Sequence, residues 1–372
     1  MSFSLREGFR NEALFRTRWV NIALILLVWL IVIDATGFSG SGQKYLSVIA
    51  VQTLVFFAGY LEKGNKTLKG TAINGIKPLL LPYFFFQAVL YVYYIIIDII
   101  FRLNIFTLGT HETRPLLESL FMPILNILLF GYSDQYFMML SFALWCLPAL
   151  FLVRILHTLI LLFSKKNRTL YFTGIVILLL LAVVLKNFRI TSGFRFLFCI
   201  DSAFLLLPFF VLGKTVKKMD IMWIDTLNAL GKILLMFFTG IIGMLLISTA
   251  IKYHAKINPI AFSIYSFGNS LILYLFLSLV GLLSIVIFSL ICARIITRQY
   301  LFLNYAIIIL ALHGILVPYI NAVFGIFELK KGLFAAASLA AFNISVFIIP
   351  VNTIEKYMPS LSSGRELGLG GL

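Results

Sequence analysis

The sequence predicts an all-α fold, a polytopic membrane helix bundle of about ten transmembrane helices. The chain has 372 residues, of which 61% are hydrophobic and only 12% are charged. A typical soluble domain carries about 25% charged residues. Apolar runs of membrane-spanning length recur from near the N-terminus to near the C-terminus, a pattern that a soluble domain with a single anchor does not show.

Short polar or basic loops separate these apolar runs. We assign the spans to residues 18–38, 45–61, 78–101, 136–163, 169–185, 196–213, 233–250, 266–293, 301–319 and 333–351. The third span starts with Pro78, as expected for a first helical turn, where a missing N–H costs nothing. The loop at 62–77 is Lys-rich, and the long break at 102–135 contains an apolar stretch that fits an interfacial or re-entrant helix.

The basic residues predict the orientation of the bundle. With the N-terminus in the cytoplasm, the inner loops carry 18 of the 30 Lys and Arg residues and the outer loops carry 10. Because cytoplasmic loops are enriched in Lys and Arg, both termini are predicted to be cytoplasmic and the protein integral to the cytoplasmic membrane. The same pattern accounts for the net charge of +16 without a nucleic-acid partner. The predicted divisions are a cytoplasmic segment at 1–17, a membrane domain at 18–357 and a disordered tail at 358–372.

The predicted outer half of the bundle contains carboxylates and an imidazole. His313 lies inside the apolar run 301–319, and Asp34, Asp98 and Asp201 lie near outer helix ends. An ionisable side chain within a span is costly, so it is a candidate for function. A histidine and a carboxylate suit proton transfer, which makes His313, Asp34 and Asp201 the candidate catalytic residues. The alternative is a neutral His313 that makes one hydrogen bond to a neighbouring helix. Further outer-layer residues are Asn269, Arg189 and Arg195.

The predicted inner half is mostly cationic. Lys77, Arg154, His157, Lys214 and Lys232 lie within or beside the inner ends of spans. A basic inner mouth suits an anionic ligand such as the phosphates of a nucleotide-bearing cofactor, and we take Lys77, Arg154 and Lys214 as the candidate cofactor-binding residues. The alternative is that these side chains only extend to the interface and set the topology.

Three cysteines and two glycines in the apolar segments are interpreted as structural residues. Cys146, Cys199 and Cys292 fall in apolar segments without metal-ligand spacing, so they are interpreted as small buried hydrophobes, and no metal is expected. Gly240 and Gly243 are expected to allow close helix packing in the seventh span. Nucleotide-binding loops and nucleophile elbows are absent from the sequence, which argues against ATP-driven transport by this chain alone.

Five segments in order resemble the integral-membrane acyltransferase family three, which includes polysaccharide O-acetyltransferases and fucose 4-O-acetylase-like proteins. They are VFFAGYL at 55–61, KPLLLPYFFF at 77–86, LWCLPALFLVRIL at 144–156, LLPFFVLGKTVKK at 206–218 and NYAIIILALHGIL at 304–316. The resemblance implies transfer of an acyl group, an acetyl group above all, from cytoplasmic acyl-CoA to a sugar of a surface polysaccharide or lipid-linked glycan. His313 matches the position of a histidine that the family often carries on its last helix but one.

The first span departs from the family pattern. The family's usual active-site histidine sits on this span, whereas residues 18–38 contain none and Asp34 falls near the aligned position. Three hypotheses therefore stay open: an O-acyltransferase of the cell envelope, a transporter or export partner for a polysaccharide or lipid-linked sugar, and a structural subunit of an envelope-synthesis complex. The partners expected are acyl-CoA, a glycan acceptor and membrane lipids.

Overall fold

The computed structural model is almost entirely helical in the part of the chain that it describes. It describes residues 2–36, 41–62, 67–102, 124, 127, 144–165, 167–192, 199–218, 227–255, 271–295, 308–316, 335–342 and 344–346. Within these residues there is no strand, which confirms the all-α prediction. Among the described residues, five segments are long and apolar enough to cross a membrane: Arg18–Ala35, Leu68–Ile96, Cys146–Ser164, Arg168–Leu185 and Tyr274–Ala293.

The described part of the chain contains nine α-helices with defined bounds. They are α1 (Ser2–Thr36), α2 (Ser41–Leu61), α3 (Leu68–Gly75), α4 (Leu81–Arg102), α5 (Cys146–Ser164), α6 (Arg168–Ser192), α7 (Ile200–Lys218), α8 (Ala229–Ala255) and α9 (Leu271–Ile295). A π-helical turn at Ile76–Leu80 joins α3 to α4, and shorter helical stretches cover 308–316 and 335–342.

The chain forms two compact units. The first comprises Met1–Gly64, Leu206–Ile309 and Glu328–Leu372, and the second comprises Asn65–Leu205 and Leu310–Phe327. In the first unit, α9 packs against α1, α2 and α8. Its core is built around Trp19, whose ring centroid lies 5.4 Å from that of Phe57 and 5.1 Å from that of Tyr60. Offset and edge-on aromatic contacts of this kind add to the stabilisation from apolar burial.

Two glycines bring α2 and the C-terminal part of α7 into backbone contact. A Cβ at Gly59 would overlap the carbonyl oxygen of Phe210, and a Cβ at Gly213 would overlap the carbonyl oxygen of Phe56. Helices approach this closely only where small residues face each other. The prediction for Gly240 is wrong, because a Cβ there would have no heavy atom within 4 Å. Gly243 does face α9, with a Cβ at 3.1 Å from Val280.

Two hydrogen bonds from side chains to backbone carbonyl groups join residues of different helices. The charge pattern predicts that the two partners of each bond lie on the same side of the membrane. Arg18 donates to the carbonyl oxygen of Ala293 at 3.3 Å, and both were predicted near the inner surface. The Trp29 indole donates to the carbonyl oxygen of Ala337 at 3.4 Å, and both were predicted in the outer half. These bonds join α1 to α9 and to the helical stretch 335–342 within the first unit.

The second unit corrects the predicted start of the third span. The helix starts at Leu68 after an N-cap by Thr67, whose side chain accepts a hydrogen bond from the Gly70 N–H at 3.2 Å. The prediction of a loop at 62–77 is therefore wrong over its second half, and Pro78 lies within the helical path. Proline removes a backbone donor and clashes with the preceding turn, and the π-helical turn at Ile76–Leu80 accommodates it.

The α6 helix of the second unit presents most of its apolar surface outward. Its exposed large side chains are Leu170, Phe172, Val176, Ile177, Leu180, Leu181 and Val184. In water such a surface would be strongly unfavourable, whereas in a bilayer it contacts acyl chains. An exposed apolar surface of this kind suits contact with the acyl chains of lipids.

Candidate functional site

A basic cluster forms where α5 packs against α3 and the π-helical turn. We define this cluster as Lys77, Arg154 and His157. The Arg154 side chain is buried, with 6% of its surface exposed, and its Nη1 atom would lie 3.9 Å from a Cβ at Gly75. The guanidinium group therefore packs beside the backbone at Gly75, two residues before Lys77, whose side chain is exposed.

The absence of a side chain at Gly75 permits this arrangement. A Cβ at Gly75 would lie 2.8 Å from the ring of Phe151, a distance that real Cβ atoms essentially never show. Any larger residue would push α3 away from α5 and separate the Lys77 turn from Arg154. Glycine at this position therefore allows α3 to pack closely against Phe151 and Arg154.

Two threonines fix the register of α5 against α3. The hydroxyl groups of Thr71 and Thr158 lie 3.1 Å apart. The Thr158 hydroxyl also donates a hydrogen bond of 2.9 Å to the carbonyl oxygen of Arg154. Each threonine is buried in an otherwise apolar contact. In a bilayer an unmade hydrogen bond between helices is costly, so this pair holds Arg154 level with Gly75.

His157 closes one side of the basic cluster. It is buried, and its ring meets that of Tyr171 edge-on, with centroids 6.1 Å apart and planes at 89°. Tyr171 belongs to the first turns of α6, so the α5–α6 hairpin holds the imidazole in place. The cluster thus combines a buried guanidinium, a buried imidazole and an accessible ammonium group.

The charge balance around the cluster favours an anionic ligand. The described residues of 67–96 and 144–185, which form the cluster and its surroundings, include the basic residues Lys69, Lys77, Arg154, Lys165 and Arg168 and no acidic residue. A guanidinium group binds phosphate or carboxylate through two parallel hydrogen bonds. Burying a cation in an apolar bundle is costly, which makes a buried arginine a candidate for anion binding.

His313 lies in the helical stretch 308–316 and is completely buried. Its Nδ1 atom lies 2.8 Å from the carbonyl oxygen of Leu310 in the preceding turn. A carbonyl oxygen only accepts hydrogen bonds, so this contact assigns the proton to Nδ1. In the neutral imidazole Nε2 is then the basic nitrogen, which is the form that a general base requires.

The other predicted site residues divide between the two units. Asp201 is buried in the first turn of α7 and belongs to the second unit, as His313 does. Asp34 is buried near the end of α1, and Lys214 is half-buried with its Nζ atom 5.7 Å from the centre of the Phe210 ring; both belong to the first unit. Of the predicted cofactor residues, Lys77 and Arg154 belong to the second unit, and Arg154 packs beside Gly75, two residues before the exposed Lys77. The predicted outer-layer residues Arg195 and Asn269 lie outside the described residues.

Sequence reasoning missed the residues that position Arg154. Thr71, Gly75 and Thr158 were not predicted as part of a site, and Thr71 and Gly75 were placed in a loop. The available signal was a pair of hydroxyl residues in apolar surroundings together with a glycine next to the KPLLLP segment. Lys77 was predicted before its span and instead lies within the helical path, at the level of Arg154.

The comparisons with known proteins found no relative of this chain. No family model matches the sequence, and neither a curated protein nor a solved structure matches it significantly. The function is therefore inferred from the chemistry of the chain's own residues.

Proposed function

We propose that the protein is a membrane O-acyltransferase of the family-three type. It would move an acyl group, an acetyl group in the simplest case, from acyl-CoA to a sugar of a cell-surface polysaccharide or lipid-linked glycan. The observation that carries the proposal is the buried guanidinium group of Arg154, held beside Gly75 and the Lys77 turn. A cation in this setting suits the phosphates of acyl-CoA entering from the inner surface.

The proposed reaction uses His313 as general base. Nε2 takes the proton of a sugar hydroxyl while the hydroxyl oxygen attacks the thioester carbonyl carbon. The carbon–sulfur bond then breaks, the ester forms, and the CoA thiolate leaves and takes up the proton. Asp201, which lies in the same unit as His313, is the carboxylate proposed to orient the imidazole or stabilise its cation. Lys214 is proposed to add a further positive charge on the inner side.

The proposal includes ten spans in the cytoplasmic membrane with both termini inside. It is supported by the excess of Lys and Arg in the predicted inner loops. Lys217 donates to the carbonyl oxygen of Glu62 at 3.0 Å, so two predicted inner helix ends meet. A C-terminal reporter that is active only in the cytoplasm is expected to be active. Activity of a periplasm-specific reporter at the C-terminus would contradict the predicted topology.

Replacing Arg154 with Leu tests the proposed cofactor site. Leucine removes the charge without placing a new polar group in the bundle. Because a hydrogen bond to a charged group contributes about 1.5–3 kcal/mol, acyl-CoA binding is expected to weaken roughly 10- to 100-fold. The measurement is a titration of the purified protein in nanodiscs with acetyl-CoA.

Arg168→Leu is the matched control for this experiment. Arg168 starts α6 and is exposed, so the same substitution there removes an equal charge from the surface. Its effect on acetyl-CoA binding is expected to be less than about threefold, as for a screened surface charge. Equal affinities of wild type and Arg154→Leu would show that Arg154 is structural.

The second candidate function is that of a transporter or assembly partner for a surface polysaccharide. It is favoured by α1, whose sequence contains no histidine where the acyltransferase family has one. The phosphates of a lipid-linked sugar would suit the basic cluster as well as those of acyl-CoA do. Mass spectrometry of the surface glycan from a deletion strain separates the two: loss of one acyl substituent supports the enzyme, and loss of the whole glycan supports the transporter.

A further inference from the structure

A buried polar contact joins α2 to α9 within the first unit. The Gln52 side chain of α2 donates through Nε2 to the hydroxyl oxygen of Tyr274 on α9. Gln52 is 0% exposed and Tyr274 is 1% exposed, although both belong to long apolar helices. The contact therefore lies inside the bundle, away from bulk water and from the acyl chains of lipids.

Close packing of the two helices holds this contact in place. A Cβ at Gly281 of α9 would overlap the side chain of Ile49, which lies three residues before Gln52 on α2. The neighbouring Thr53 is also fully buried, but its hydroxyl donates to the carbonyl oxygen of Ile49 at 2.8 Å. The polar group of Thr53 is therefore satisfied within its own helix, whereas that of Gln52 is used between helices.

The hydrogen bonds of Tyr274 determine which end of the Gln52 amide faces it. The Ser278 hydroxyl donates its proton to the carbonyl oxygen of Tyr274 at 2.8 Å, and the two side chains also pair with each other. Because a hydroxyl group has one proton, Ser278 must accept from the Tyr274 hydroxyl in this second bond. The Tyr274 oxygen is then an acceptor for Gln52, which is consistent with Nε2 as the donor.

The other end of the Gln52 amide is buried as well. Its Oε1 atom makes no hydrogen bond to any residue that the structure describes. Tyr274 engages one end of the amide only, so Oε1 needs a partner of its own. Buried polar side-chain atoms are nearly always satisfied by protein or by ordered water, and an unmade hydrogen bond inside a membrane bundle is costly.

The surroundings restrict this partner to a small neutral donor. Gln52, Tyr274 and Ser278 carry no charge that would compensate a cation, and an uncompensated charge within an apolar bundle is costly. A sugar or a nucleotide would need an opening, whereas the Gln52 side chain has no exposed surface. A water molecule donates two hydrogen bonds, and buried waters usually bind polar groups of this kind.

We propose that an ordered water molecule is bound between α2 and α9 at Gln52. It donates one hydrogen bond to Oε1 of Gln52 and the other to the hydroxyl oxygen of Tyr274, which can accept two. The water gives α2 and α9 a second connection beside the direct bond between the two side chains. The proposal concerns the first unit alone and does not rest on the proposed function.

Radiolytic hydroxyl-radical labelling, measured by mass spectrometry on the protein in nanodiscs, tests this site. The radicals form from water itself, so a buried aromatic ring is oxidised where a water molecule touches it. Oxidation of Tyr274 is expected in wild type, whereas Phe57, which is equally buried in the same unit and packs on the Trp19 ring, is expected to stay unmodified. Gln52→Leu removes the amide at similar size, and the oxidation of Tyr274 is expected to be lost.

Thr53→Val is the matched control for this experiment. It removes a fully buried hydroxyl from the adjacent position of α2, but one that is already bonded within the helix. Oxidation of Tyr274 is expected to remain at the wild-type level in this variant. The proposal is overturned if Tyr274 in wild type is oxidised no more than Phe57, a comparison that needs no variant to fold. Wild-type oxidation of Tyr274 in Gln52→Leu, or its loss in Thr53→Val, would also overturn it.

Discussion

Replacing His313 with Gln is expected to lower acyl transfer by at least about a hundredfold while the protein still inserts in the membrane. Glutamine keeps the polarity and approximate size of the imidazole but cannot take up a proton. Loss of a positioned general base typically costs on the order of 10²–10⁴ in rate. The measurement is acetyl transfer from acetyl-CoA in membranes or nanodiscs, with expression and thermal stability recorded in parallel.

His313→Asn distinguishes catalysis from a structural hydrogen bond. An asparagine amide can replace Nδ1–H as the donor to the Leu310 carbonyl oxygen, but it supplies no base at the position of Nε2. If His313 only makes this bond to its own helix, its loss costs about 0.5–1.5 kcal/mol, the usual net contribution of a hydrogen bond, and Asn restores activity. Full acylation in either variant would remove His313 from the mechanism and leave Asp34 and Asp201 as candidates.

Replacing Gly213 with Ala is expected to disrupt the first unit more than any other single methyl addition considered for the described residues. The new Cβ would overlap the carbonyl oxygen of Phe56, a backbone atom that cannot rotate away. Overpacking in a close contact typically costs about 1–3 kcal/mol, and backbone obstruction lies at the upper end. The expected result is a lower melting temperature and less monodisperse protein after extraction, measured by fluorescence-detected gel filtration.

Gly240→Ala is the matched control for this prediction. Both glycines lie in apolar helices, but a Cβ at Gly240 would have no heavy atom within 4 Å. Alanine is the better helix former by up to about 1 kcal/mol, so this variant is expected to be neutral or slightly stabilised. Equal stability of Gly213→Ala and wild type would show that α2 and α7 do not cross through their backbones.

The residues at helix boundaries show where sequence reasoning was accurate and where it failed. Span starts inferred from apolar length agree with the candidate membrane segments at Arg18–Ala35 and Arg168–Leu185 to within one residue. The third span was placed ten residues too late, at Pro78 instead of Leu68. The error came from treating lysines and a proline as loop signals. A helix that packs on a neighbour can contain lysines and a proline, because the lysine side chain lies outward and a π-helical turn accommodates the proline.

Only some residues of the candidate site could be predicted from the sequence. Arg154 and His313 could be predicted as candidates because placing an ionisable side chain within an apolar run costs free energy, so such a residue is rarely present without a function. Their partners were not, since Thr71, Gly75 and Leu310 have no unusual chemistry of their own. The glycines show the same limit: Gly240 and Gly213 have similar sequence surroundings, yet only Gly213 meets another backbone.

The amino-acid sequence by itself determined that this chain is helical and belongs in a membrane, because both properties follow from local composition and the length of its apolar runs. The tertiary structure decided that Arg154 lies beside Gly75 and that α2 crosses α7 at Gly59 and Gly213. These features depend on the register and rotation of one helix against another. Register is set by the fit of many side chains at once, and the apolar pattern of a lipid-embedded helix is too uniform to encode it.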